Sequence, residues 1–134
     1  MPPTTRGVHH IGLTVRSVDT ASQFFVDALG FDVVGGRPSY PSVFVSDGTT
    51  MVTLWQAADP ATAADFDRRN TIGLHHLALA VDSDSTLDRI ALALAARPDV
   101  VVEFGPEPLG TVGARHMMFI GPSGLRIELI RPAT

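Results

Sequence analysis

Val8-His9-His10-Ile11-Gly12-Leu13-Thr14-Val15-Arg16-Ser17 returns 66 residues later as Leu74-His75-His76-Leu77-Ala78-Leu79-Ala80-Val81-Asp82-Ser83, with five of ten positions identical. A repeat of this length implies one supersecondary unit used twice. The residues after each copy correspond as well. Asp19 is placed to cap a helix whose apolar residues Ala21, Phe24, Phe25, Ala28 and Leu29 recur at i, i+3, i+4, i+7 and i+8, and Gly30 is a natural stop. After the second copy, Leu87, Ile90, Ala91 and Leu94 keep helical spacing and Pro98 closes the segment. Each half then continues with three β-rich pieces: 31–35, 42–46 and 50–56 with an Asp47-Gly48 turn, then 100–104, 114–120 and 125–131 with a Ser123-Gly124 turn. The order predicts an α+β fold of two βαβββ modules, module one at about 7–57 and module two at 74–132. The linker, 58–73, is rich in Ala and Asp and is expected to hold one helical turn near 61–67. Neither module is long enough to stand alone, so residues 1–134 are expected to form a single domain.

Strand alternation assigns the faces. Ile11, Leu13 and Val15 share a core face, as do Leu77, Leu79 and Val81, and Ile127 and Leu129. The opposite faces carry His10, Gly12 and Thr14; His76, Ala78 and Ala80; and Arg126, Glu128 and Ile130. Gly, Ala and Thr beside imidazoles leave open volume of the kind a ligand needs. His9 and His75 have the other parity and belong at the strand starts. A lone strand histidine is usually a hydrogen-bonded structural residue. Here four of five histidines fall in two repeat-related pairs, and Glu128, one of only three Glu, sits among aliphatic residues. A buried carboxylate is expensive unless it meets a charge or a metal. Arg115 or Arg126 could be that charge; His10 and His76 suggest a metal instead. Two imidazoles and one carboxylate suit Fe(II), Mn(II), Co(II) or Zn(II) and leave coordination positions open, as a catalytic centre requires. The hairpin ends repeat too: 48–54 parallels 124–129, one residue shorter, so Thr53 takes in module one the place that Glu128 has in module two.

The bulk numbers exclude much else. Hydrophobic residues at 45% and charged residues at 18% are globular proportions. A net charge of −4 without any basic block argues against a nucleic-acid surface. All ten basic residues are Arg and Cys is absent, so Lys chemistry, thiolate ligands and disulfides are excluded. No apolar run has the length of a membrane span and 1–6 lacks the core of a signal peptide, so a cytoplasmic protein is expected.

These residues resemble the vicinal oxygen chelate superfamily, which includes glyoxalase I, extradiol dioxygenases, fosfomycin-resistance transferases, methylmalonyl-CoA epimerases and bleomycin-resistance proteins. The resemblance runs from Val8 to Arg131. Its carriers are His10-Ile-Gly-Leu-Thr-Val, His76-Leu-Ala-Leu-Ala-Val and Gly121-Pro-Ser-Gly-Leu-Arg-Ile-Glu128-Leu-Ile, the last with Gly121 where the family signature has Asp. The resemblance implies paired βαβββ modules whose curled mixed sheets form a cup around one divalent metal ion (Fe, Mn, Zn, Ni or Co). Three of four ligand positions map onto His10, His76 and Glu128. The fourth maps onto Thr53, where classical glyoxalase I carries Glu or Gln, so a three-ligand centre is implied. His-His-Glu is similar to the extradiol dioxygenases and the fosfomycin transferases, yet 106–116 has neither the Lys nor the Ser that the latter use. The resemblance therefore implies a metal-dependent enzyme acting on a small substrate with vicinal or chelating oxygens, as a glyoxalase-like lyase or isomerase or as a dioxygenase. The alternatives are a resistance protein that sequesters a drug in the same fold and a metal-dependent resistance transferase. It also implies a homodimer.

His116 is the candidate for proton transfer, sharing a strand face with Ala114 and Met118, while Arg115 should point away. A rim histidine is the plain alternative. Met51, Thr53 and Trp55 should share the pocket face of their strand, with Met118 and Arg126 on the corresponding faces of module two. Trp55 could equally be ordinary core. Arg37, Tyr40 and the Arg68-Arg69 pair are expected on solvated loops or surface.

Overall fold

A computed structural model describes residues 1–134. The elements follow the order β1 (His10–Val15), α1 (Val18–Leu29), β2 (Asp32–Arg37), β3 (Ser42–Ser46), β4 (Met51–Gln56), β5 (Leu77–Ala80), α2 (Asp84–Ala95), β6 (Val101–Leu109), β7 (Ala114–Ile120) and β8 (Arg126–Arg131), with a single 3-10 turn at Pro122–Gly124. The fold class is thus the α+β pattern of two βαβββ modules. Each module makes its own four-stranded mixed sheet, ordered β1-β4-β3-β2 and β5-β8-β7-β6. The chain divides into two compact units, 1–63 and 64–134. The 58–73 linker is therefore shared between them.

In the first unit β1 runs parallel to β4, and β3 is antiparallel to both β4 and β2. Alternation buries Leu13 and Val15 of β1 with Val45, Val52 and Leu54 under α1, which adds Val18, Ala21, Phe24 and Phe25. Phe25 meets Phe31 edge to face at 5.1 Å. The helix begins two residues earlier than Asp19 capping would give. Ser17 is the N-cap, and its Oγ accepts from the Thr20 amide at 3.1 Å. Asp19 instead lies in the first turn, where its charge suits the helix dipole. Gly30 ends the helix at φ 74, its amide donating to Phe25 and Val26. Beyond β4 no helical turn spans 61–67; turns flank that stretch instead, with the Asp59 carbonyl accepting from Thr62 and Ala63 and the Asp67 carbonyl from Asn70 and Thr71. Arg16 fastens this segment, donating to the carbonyls of Pro60 at 2.6 Å and Ala63 at 2.8 Å.

The second unit repeats the plan. Leu77, Leu79, Ile127 and Leu129 are buried with Met117, Phe119, Leu87 and Leu94. Ser83 caps α2 as Ser17 caps α1, its Oγ accepting from the Thr86 amide. The largest departure from expectation is β6. It continues from 104 through Gly105 and Pro106 to Leu109, shifting register against β7 twice. Gly105 sits at φ 85, and a Cβ there would lie 2.5 Å from the His116 carbonyl oxygen. The absence of a side chain lets β6 close on β7 beside His116.

Candidate functional site

The parallel pairs set corresponding positions level with each other. Gly12 stands opposite Thr53 in the first unit, and Ala78 opposite Glu128 in the second. Thr53 and Glu128 are therefore structural counterparts, as the repeated hairpin ends predict.

In the second unit Glu128 is 9% exposed, and its carboxylate lies between two imidazoles. His76 Nε2 is 3.3 Å from Oε1. His116 Nδ1 is 2.5 Å from Oε2, a diagonal cross-strand contact, because His116 pairs with Ile130 and Met118 with Glu128. The two contacts differ in kind. The short one is a hydrogen bond: His116 Nδ1–H donates, which leaves Nε2 as the second face of that ring. The longer one joins a ring nitrogen and a carboxylate oxygen at the separation expected of two ligands on one ion. Donors about 2.1 Å from a common ion in tetrahedral array stand about 3.4 Å apart. His76 Nδ1 meets His75 Nδ1 at 2.8 Å, and with a proton on that side Nε2 presents a lone pair toward Glu128. The donor chemistry of His76 and Glu128 fits a divalent cation. His116 orients the carboxylate. Phe104 packs its ring 5.0 Å from that of His116.

The first unit carries the matching face. His10 is exposed and meets His9 Nδ1 at 2.9 Å, as His76 meets His75. Thr53, 3% exposed, accepts from Trp55 Nε1 at 2.9 Å, and its own hydroxyl is directed to the Ile11 carbonyl at 3.5 Å. That commits the hydroxyl to neighbours and leaves module one without a carboxylate at this point. Trp55 is flanked by Tyr40 at 5.0 Å and Phe44 at 5.8 Å, so Tyr40 belongs to an aromatic wall rather than to a bare loop. Met51 is half-buried at the start of β4. Neither unit by itself groups three His, Asp or Glu side chains around a point they could share with an ion. The second unit brings together His76, Glu128 and His116, while His10 lies in the first.

Several residues have contacts that residue type alone does not foretell. Arg126 is buried and donates through Nε and Nη2 to both oxygens of Glu103, each at 2.9 Å. Arg68 donates to the same carboxylate at 3.0 Å, which corrects its assignment to plain surface. Arg126, then Arg68, hold the Glu103 carboxyl below the usual carboxylate range. His75 titrates below the ordinary histidine range, first through lost hydration and then through the Arg126 charge. Arg115 points away from the site, as alternation predicts, to Asp84 and Asp88 of α2.

With this geometry the sequence matches the Glyoxalase/Bleomycin resistance protein/Dioxygenase superfamily over residues 7–129. The chain belongs to that superfamily. Among its relatives is a 2-epi-5-epi-valiolone epimerase of an Actinomyces species, 28% identical, matching 96% of this chain and 80% of the relative. The fold is shared with a glyoxylase/bleomycin resistance protein/dioxygenase domain from a Frankia species, with a TM-score of 0.82, 22% identity and coverage of 96% and 99% of the two chains. A genomically encoded fosfomycin resistance protein from Listeria monocytogenes has the same fold at a TM-score of 0.74 and 14% identity, over 94% and 91% of the two chains. The superfamily therefore accounts for the duplicated sheet, and the chemistry rests on the residues that line it. No helix is long and apolar enough to cross a membrane.

Proposed function

We propose that this protein is a divalent-metal-dependent enzyme that moves a proton at a carbon next to a chelating oxygen of a small substrate, as an isomerase, epimerase or glyoxalase-like lyase does. The observation that carries this reading is the line His76–Glu128–His116, with one contact at ligand spacing and one at hydrogen-bond length. His10, His76 and Glu128 would hold the ion. A bound divalent ion supplies Lewis acidity, drawing charge from a substrate oxygen and lowering the pKa of the adjacent C–H. The remaining work falls to the chain. Glu128 keeps His116 Nδ1 protonated, so Nε2 is the basic nitrogen that accepts the carbon-bound proton and returns it. Phe104 packs beside that ring, 5.0 Å between centroids. The Tyr40–Phe44–Trp55 wall offers an apolar surface to the substrate's carbon skeleton. The epimerase among the relatives supports a proton-transfer reaction over oxygen insertion.

The test is hydrogen–deuterium exchange at the α-carbon of simple 2-hydroxy ketones in D2O, monitored by NMR, together with metal analysis of the purified protein. Exchange should need the metal and should fall about 10²–10⁴-fold in His116→Gln while metal content holds. Full exchange activity in His116→Gln, or a wild-type protein that retains no divalent metal, would remove the proposal.

A further inference from the structure

A cavity of about 240 Å³ in the second unit is lined by Phe66, Asp67, Arg68, Arg69, Ile120, Gly124 and Arg126. It opens on the sheet face that carries Glu128, because Ile120 and Arg126 are a cross-strand pair and Arg126 precedes Glu128 by two residues on β8. Two residues of strand span about 6.6 Å. Three of the chain's ten Arg thus converge on one small cavity next to the proposed metal ligands, in a protein whose net charge is −4.

The charges there do not cancel. Arg68, Arg69 and Arg126 contribute three positive charges. Glu103 and Asp67 contribute two negative ones, and Asp67 also accepts from the Arg69 amide at 2.9 Å. Glu103 ties Arg68 and Arg126 together, receiving two hydrogen bonds from Arg126 and one from Arg68. That carboxylate fixes the two guanidiniums in place without neutralising both. Each keeps N–H groups beyond those it gives to Glu103, and Arg126 Nη1 also meets His75 Nδ1 at 3.3 Å. Preorganised guanidiniums lose little further entropy on gaining an oxyanion, and their fork matches carboxylate and phosphate oxygens.

We propose that this cavity binds the oxyanion of the substrate, a carboxylate or a phosphate, carried on the same molecule that chelates the metal. The inference rests on the metal-dependent reading only in calling the ligand a substrate; the anion site itself is a property of the second unit. It narrows the substrate class to compounds that carry a negative group in addition to their chelating oxygens.

The probes are inorganic phosphate and acetate, titrated separately by calorimetry into the full-length chain as purified. The tighter of the two identifies the oxyanion. Binding should weaken with salt. In the double variant Arg68→Gln/Arg69→Gln it should fall about tenfold or more, the value of one to two charge-assisted hydrogen bonds. In Glu103→Gln, which frees donors and removes a negative charge, it should tighten. His76→Ala should bind the probe as wild type does, because none of the residues lining the cavity is a proposed metal ligand. Retention of affinity in the double Arg variant, its loss in His76→Ala alone, or absence of binding by the wild type would each overturn the proposal. Loss of metal in the wild-type protein would sink the enzymatic reading while leaving these anion titrations interpretable.

Discussion

Glu128 is the residue on which the chemistry turns, and its surroundings state why. At 9% exposure its carboxylate has little water to solvate it, and no Arg or Lys contacts it. Arg126, its near neighbour on the same face, is turned to Glu103 instead. The two imidazoles supply compensation only if protons or a cation stand between nitrogen and oxygen. Replacing Glu128 with Gln removes the anionic ligand and preserves the volume. Metal affinity should fall by more than the roughly 10–100-fold that loss of a supporting residue costs, as measured by competition with a chromophoric chelator. The fold should persist, because Gln can accept from His116 through its carbonyl oxygen. Glu103 is a different kind of carboxylate, one that braces Arg126 and Arg68. Glu103→Gln should cost on the order of 2 kcal/mol in chemical denaturation, the scale of a hydrogen bond to a charged partner.

The elements show what the sequence makes legible and where it falls silent. The repeat is readable because identical aliphatic parity in β1 and β5 leaves one register for each. The repeated hairpin ends predict the Thr53–Glu128 equivalence, which the pairings Gly12–Thr53 and Ala78–Glu128 display. The outward turn of Arg115 comes from the same alternation. The first cap is misassigned because Ser17 and Asp19 are both good capping residues, and the choice depends on where the backbone first turns helical. Strand β6 is cut short when read from sequence because Gly105 and Pro106 look like punctuation. They become strand only through a bulged pairing with β7 that no local pattern encodes. Glu103 escapes notice because its partners are 23 and 35 residues away. The His116–Glu128 contact needs both the parity of β7 and its register against β8; the sequence supplies only the first. These elements carry their own predictions. Ser17→Ala and Ser83→Ala should each cost about 1 kcal/mol, the value of a helix N-cap. Gly105→Ala should be worse, about 2 kcal/mol or more, because the new methyl meets the backbone of His116 and Met117 at φ 85. That loss, read as a shift in urea midpoint at constant slope, should come with lower proton-exchange activity, since the displaced strand holds Phe104 and faces His116.

At the scale of the whole molecule the two units resemble each other in topology and differ in electrostatics. The second unit rests on ion pairs: Arg126 and Arg68 on Glu103, Arg115 on Asp84 and Asp88, Arg131 on Asp84, and Arg97 on Asp99. The carboxyls of Asp84, Asp99 and Glu103 are all held below their ordinary range, first by hydrogen bonds from Arg131, Arg97 and Arg126 respectively. A depressed folded-state pKa means that the stabilisation is complete above the unfolded pKa, about 3.9 for Asp and 4.3 for Glu. It is lost as pH falls through the lower folded value. Exposed pairs such as Arg97–Asp99 contribute little, so the partly buried Glu103 cluster should dominate the effect. Acidification from about pH 6 to pH 3 should therefore loosen the second unit before the first. The asymmetry is measurable because Trp55, the only Trp, belongs to the first unit. Amide protection factors in β6, β7 and β8 should drop at a pH where Trp55 fluorescence is still native, and Glu103→Gln should narrow that gap by removing the largest acid-sensitive contribution. If β1–β4 and β6–β8 instead lose protection at one pH in the wild type, the ion pairs of the second unit do not govern its acid stability, and the whole chain melts as one cooperative body.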